Sequence, residues 1–120
     1  MTNKDVENIA VRWFEAFNEH DLEKLLSLYD DNAQHYSPKL KQRRPETNGL
    51  ITGKDALRSW WQDAFDRLPD LYYKMVRLTA NEDRVFMEYV RQAGPEPDMD
   101  VAELLEIGRG KIVASRVYHG

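Results

Sequence analysis

Near the start of the chain, apolar residues recur at three- and four-residue steps. Val6, Ile9, Ala10, Trp13 and Phe17 share one face, which is the period of a helix that buries one side. Thr2 and Asp5 before this run match a capping box, each side chain serving a free backbone N–H of the other. His20 and Asp21 interrupt the pattern, and Asp21 can cap a second helix carrying Leu22, Leu25, Leu26 and Tyr29 on one side. The stretch "NAQHYSP" (32–38) alternates Ala33, His35 and Ser37 with Gln34 and Tyr36, and reads as a short strand closed by Pro38. Residues 39–52, "KLKQRRPETNGLIT", show no clear period and are predicted as a loop. Thr52 and Asp55 form a second capping-box pattern. Leu57, Trp60, Trp61, Ala64, Phe65 and Leu68 then trace a third helix ending before Pro69.

From Asp70 onward the texture is β. "LYYKMVRLTA" and "RVFMEYVRQ" are joined by a turn at Asn81-Glu82-Asp83. "GPEP" (94–97) is another turn, and Gly108-Arg109-Gly110 joins "VAELLEI" to "KIVASRVYH". The order α-α-β-α-β-β-β-β predicts an α+β fold in a single domain spanning 1–120, with helices on one face of an antiparallel sheet.

Composition narrows the class. The chain of 120 residues is 42% hydrophobic and 11% aromatic, enough for one packed core. A net charge of −4 argues against a nucleic-acid surface. With no cysteine, disulfides, thiolate nucleophiles and Cys-ligated zinc are excluded. The opening "MTNKDVENIA" lacks the apolar run of a signal peptide, and no stretch approaches the roughly 20 apolar residues of a membrane span. A cytoplasmic protein with no membrane partner is expected.

Strand periodicity isolates the candidate chemistry, because alternate residues face opposite sides. Glu103 shares a face with Val101, Leu105 and Ile107, so it is a carboxyl group on an otherwise apolar surface. Val85, Met87, Tyr89 and Arg91 share another face. The last strand allows either Val113, Ser115, Val117 and His119 or Ile112, Ala114, Arg116 and Tyr118 to face inward. Four of the six residues at 39–44 are basic; a solvated surface, a mobile lid and a contact for an anionic ligand all fit this run. His35, His119 and Glu103 are residue types that bind zinc or iron, but no H-x-H or H-x-x-x-H spacing supports a metal site. No phosphate loop, dinucleotide fingerprint or Gly-x-Ser-x-Gly elbow occurs, so no cofactor is expected.

Taken together, "EAFNEHDLEKLLSLYDDNA", "TGKDALRSWW" and "GKIVASRVYH" resemble the nuclear transport factor 2-like superfamily, closest to its SnoaL-like polyketide cyclase and ketosteroid isomerase branch. The resemblance implies a cone: a curved, mainly antiparallel sheet wrapped around three helices, with an apolar pocket open at one end. It selects Ala33, His35 and Ser37, and Val113, Ser115, Val117 and His119, as inward. It also implies a homodimer, with Leu104, Ile112, Ala114 and Tyr118 facing outward. Aligned by motif, Ser37 stands where the isomerases keep a catalytic carboxylate, Trp13 where they keep a tyrosine, and Glu103 where they keep a protonated acid. Steroid isomerisation by that route is disfavoured. An epoxide-hydrolase pattern is absent, because Arg91 is followed by Gln92 and Ala93.

The expected catalytic set is His35, Glu103, Tyr89 and His119, with His35 as the proton carrier. Trp13, Phe17, Ser37, Trp60, Met87, Arg91, Leu105 and Val117 are the expected ligand contacts. The expected activity is proton-transfer chemistry of isomerase, cyclase or dehydratase type on a small, mostly apolar carbonyl- or hydroxyl-bearing molecule. The alternative is a binding or dimerisation module of the same fold without catalysis.

Overall fold

A computed structural model describes residues 1–119. Helix α1 (Asn3–Asn18) starts at the reciprocal Thr2–Asp5 capping box and buries Val6, Ile9, Ala10, Trp13 and Phe17. Helix α2 (Leu22–Ser27) is capped by the Asp21 side chain. Strand β1 (Tyr29–Tyr36), helix α3 (Pro38–Arg43), a 3-10 turn at Pro45–Thr47, strand β2 (Leu50–Thr52) and helix α4 (Lys54–Arg67) follow. Strands β3 (Leu71–Ala80), β4 (Arg84–Ala93), β5 (Glu96–Gly108) and β6 (Lys111–His119) complete the chain.

The six strands form one sheet in the order β2-β1-β6-β5-β4-β3. Strand β1 runs parallel to β6, and every other pairing is antiparallel. The sheet curves around α1, which packs on β3 and β4, and α4, which packs on β1 and β2. Their facing surfaces make one apolar core. Asn18 at the end of α1 accepts from the Tyr73 N–H at 2.8 Å and donates to the Tyr73 carbonyl at 3.0 Å, which pins that helix to β3. No helix among the described residues is long and apolar enough to cross a membrane.

Four local expectations are corrected. Segment 39–52 is not a loop: it holds α3, the 3-10 turn and β2. Helix α3 has a capping Ser37, Pro38 in its first turn and one anchoring residue, Leu40, with no exposure. A helix of six residues with one apolar position has no period to detect, so the sheet wraps four α-helices. Tyr29 leaves α2 and opens β1, because the Ile112 N–H captures the Leu28 carbonyl at 2.8 Å and Tyr29 pairs with Ile112. Thr52 does not cap α4. Gly53 takes that position at φ 91, with no side-chain cap. On β6, register passes from Glu106–Ala114 to Ile107–Ile112, leaving Val113 as the extra residue of a bulge. A bulge reverses the in-out phase, so Val113 is exposed and Ile112 is buried.

Candidate functional site

The inner face of the sheet, α1, α4 and α3 enclose a cavity of about 160 Å³, small beside the roughly 300–1,000 Å³ of sites for drug-sized ligands. Its floor carries His35 from β1, Tyr89 from β4 and Glu103 from β5, walled by Phe17, Trp60, Trp61 and Tyr73. Its mouth carries Lys39, Gln42 and Arg43 from α3, Arg67 from α4, Arg91 from β4, Glu96 from β5 and His119 from β6.

His35 is the end of a buried hydrogen-bond chain. The Trp13 indole N–H donates to the Tyr29 hydroxyl at 3.2 Å, and that hydroxyl donates to Ser115 Oγ at 3.1 Å. Ser115 Oγ lies 2.7 Å from His35 Nδ1. Each hydroxyl has one proton. Tyr29 uses its proton on Ser115, and the remaining Ser115 proton goes to His35 Nδ1. With Ser115 as the donor, the imidazole hydrogen sits on Nε2, which has no partner among the described residues. Burial pushes the imidazole down to about 3, so it stays neutral at physiological pH. Trp61 holds the ring edge-on at 5.2 Å. His35, the expected proton carrier, sits in this cavity as a neutral imidazole, its Nδ1 engaged by Ser115 and its charged form disfavoured by burial.

Glu103 is the second neutral group. Burial raises its carboxyl to about 8, against a smaller lowering by Tyr89. The Tyr89 hydroxyl donates to Oε1 at 2.8 Å, while Oε2 is buried with no partner among the described residues. Protonated, Oε2 is a donor without an acceptor, which a folded interior rarely tolerates. Tyr73 and Tyr89 lie with ring centroids 4.4 Å apart. Burial first, and the nearby Glu103 second, raise both phenols, so they remain hydroxyl donors.

Register sets the spacing. Glu103 pairs with Val117 and Val101 with His119, so Glu103 and His119 are diagonal neighbours, about 7–8 Å apart. His35 pairs with Ser115, which pairs with Leu105, so it stands two strands across and two residues along from Glu103, about 12 Å over the sheet. Burial, then Lys39 and Arg91, lower His119, which keeps this half-buried imidazole neutral too. His35, His119 and Glu103 do not form a group that could hold a metal ion among the described residues.

Of the expected residues, His35, Glu103, Tyr89, His119, Phe17, Ser37, Trp60, Arg91 and Val117 border this cavity. Trp13, Met87 and Leu105 do not: all three are fully buried, and core packing behind the cavity takes up their side chains. Ser37 also caps α3, accepting from the Lys39 N–H at 3.2 Å. Trp61 and Tyr73 join the cavity without having been expected there, while Lys39 and Arg43 belong to the basic run read as a lid or an anion contact, and Ser115 to the inward set of β6. Trp61 and Tyr73 were visible only as core-type aromatics, and Ser115 as the polar member of an inward set. Lys39 and Arg43 lay in a segment with no readable period.

The SnoaL-like domain profile matches residues 10–115. A SnoaL-like protein of unknown function from Burkholderia thailandensis is 25% identical, superposes with a TM-score of 0.88, and covers 100% of this chain and 98% of its own. A Kribbella flavida protein provisionally described as a ketosteroid isomerase is 19% identical at a TM-score of 0.82, with 100% and 82% covered. An NTF2-like protein of unknown function from Cytophaga hutchinsonii is 12% identical at 0.77, with 96% and 89% covered. No curated protein matches the chain.

Proposed function

The chain belongs to the SnoaL-like domain family, and we propose that its cavity binds a small, mostly apolar carbonyl compound and transfers a proton beside the carbonyl. The observation that carries this reading is Glu103, a buried acid held protonated with one unpartnered oxygen in an aromatic cavity. A carbonyl oxygen would accept from Glu103 Oε2–H, leaving the His35 Nε2–H across the cavity for a second polar group of the ligand. His119, neutral and one diagonal step away, would take the proton from the adjacent carbon. The C–H electron pair moves into the enolate, whose oxygen stays hydrogen-bonded to Glu103. The His119 imidazolium then returns the proton, at the same carbon or further along a conjugated system.

The second reading, binding without turnover, draws on Ser37, which cannot replace the isomerase carboxylate. One experiment separates the two. Cyclohexanone and cyclohex-3-enone are incubated with the protein in heavy water at neutral pH, and loss of the α-proton signals is followed by NMR. The expected result is exchange above the buffer rate, reduced about 100-fold or more by His119→Gln and also slowed by Glu103→Gln. Saturation transfer to the ketone without exchange would favour the binding module. Neither binding nor exchange would overturn both.

A further inference from the structure

We infer that the ligand of this cavity carries a carboxylate, which its outer end presents to Arg91 and to the basic face of α3. The inference rests on the cavity being the ligand site, not on proton transfer.

Four cationic side chains border the cavity, Lys39, Arg43, Arg67 and Arg91, against a single ionised acid, Glu96. The other lining acid, Glu103, is held neutral. A positive cavity in a chain of net charge −4 is a local reversal of sign. Such a reversal at a concave site attracts anions and rejects cations. Arg67 is already matched by Asp63 at 2.8 Å outside the lining, so the excess rests on Lys39, Arg43 and Arg91.

Arg91 is the decisive group. Its side chain is only 11% exposed, and its one partner among the described residues is Glu96, through Nη1 at 2.9 Å. A guanidinium has five N–H donors in a planar fork, so most of Arg91's are unused in a place with little access for water. Glu96 is also shared, with Lys39 3.8 Å away. One carboxylate therefore serves two cations at the rim. A second, brought by a ligand, matches the fork of Arg91 in charge and shape.

Helix α3 supplies the rest. Buried Leu40 and the Ser37 cap set its rotation, and Lys39, Gln42 and Arg43, at i, i+3 and i+4, border the cavity together. An ordinary solvated basic run would not bring this one face to a pocket mouth. The floor is neutral and hydrogen-bonding, the walls are aromatic, and the mouth is cationic. A compact keto acid has that polarity from end to end.

Benzoate, benzamide and benzylamine, which share a ring and differ in charge, test the inference through quenching of tryptophan fluorescence, since Trp60 and Trp61 line the cavity. Benzoate is expected to bind about tenfold or more tighter than benzamide, the scale of one charge-assisted hydrogen bond, and benzylamine weakest. Arg91→Gln should remove that preference. Should Arg91→Gln fail to fold, the double variant Lys39→Gln/Arg43→Gln, at partly exposed and exposed positions, should weaken benzoate alone. Equal binding of benzoate and benzamide, or unchanged benzoate binding in a folded variant, overturns the inference. Ketone exchange without preference for benzoate sinks this inference and spares the proposed function. Preference for benzoate without exchange does the reverse.

Discussion

Glu103 and His35 are opposite kinds of ionisable group kept neutral by the same cause, burial, and this gives the protein a two-sided pH dependence. Glu103 releases its proton near 8 when folded and near 4.5 otherwise. Across that window the unfolded chain has lost a proton that the folded chain keeps, so stability falls as pH rises. His35 binds a proton near 3 when folded and near 6.5 otherwise; across that window stability falls as pH drops. The two slopes oppose each other between about 4.5 and 6.5, leaving an acid limb from His35 and an alkaline limb from Glu103. Thermal melts across pH should show Glu103→Gln flattening the alkaline limb and His35→Gln flattening the acid one, each by an amount on the order of a few kcal/mol. Unchanged limbs in folded variants would contradict the burial of these groups. Ser115 acts through His35. Ser115→Ala strands the Tyr29 hydroxyl and His35 Nδ1, and should cost about 1–3 kcal/mol in urea denaturation. Nitrogen NMR on the imidazole should find the proton on Nε2 in the wild type; a proton on Nδ1 would refute the assigned chain. Glu103 was legible in the sequence because one acid broke an apolar alternation. The tautomer of His35 was not, since it depends on Ser115, 80 positions away, nor was its neutral state, which depends on the burial that the folded sheet imposes.

Helix α4 begins at Gly53 with φ 91 and ψ 155, a backbone region that residues with a Cβ reach only under strain. A Cβ there would meet nothing closer than the Asp31 carbonyl at 3.9 Å, so the penalty is conformational and not steric. Gly53→Ala should lower stability by about 1–3 kcal/mol, read as a shift of the urea midpoint. Thr52→Ala should be nearly silent, because its side chain caps nothing. A large loss in Thr52→Ala would restore the capping box read from sequence. The long helices and the β3–β4 and β5–β6 hairpins were legible because each repeats its period several times. Helix α3 and the β6 bulge were not: one apolar residue defines no period, and a bulge is an insertion that only the partner strand reveals.

At the scale of the molecule, the sheet uses its inner face for the core and cavity and leaves an outer face on which an apolar cluster sits among cross-strand ion pairs. Phe86, Val113 and Tyr118 are exposed there, with Leu104 half-buried; Phe86 pairs with Leu104, and Ala102 with Tyr118. We propose that a second copy covers this surface. Ile112, expected on the interface, is buried inside and takes no part; Val113 replaces it. Sedimentation at micromolar concentration should give twice the 14.1 kDa of one chain, and Leu104→Glu should return it to a monomer without altering benzoate binding. A monomeric wild type would refute the pairing.

The order of the major elements and the apolar face bearing Glu103 follow from local periodicity, since helix and strand each impose a fixed spacing on residues close in sequence. Everything that makes the cavity chemical depends on residues far apart. Parallel pairing of β1 with β6 brings His35 to Ser115, and antiparallel pairing of β5 with β6 brings Glu103 diagonal to His119. The anchoring of α3 turns Lys39 and Arg43 toward Arg91 at the mouth. Periodicity states which side of an element is buried. Only the curved sheet folded over its helices decides what that side meets, how little water reaches it, and so which groups lose their charge.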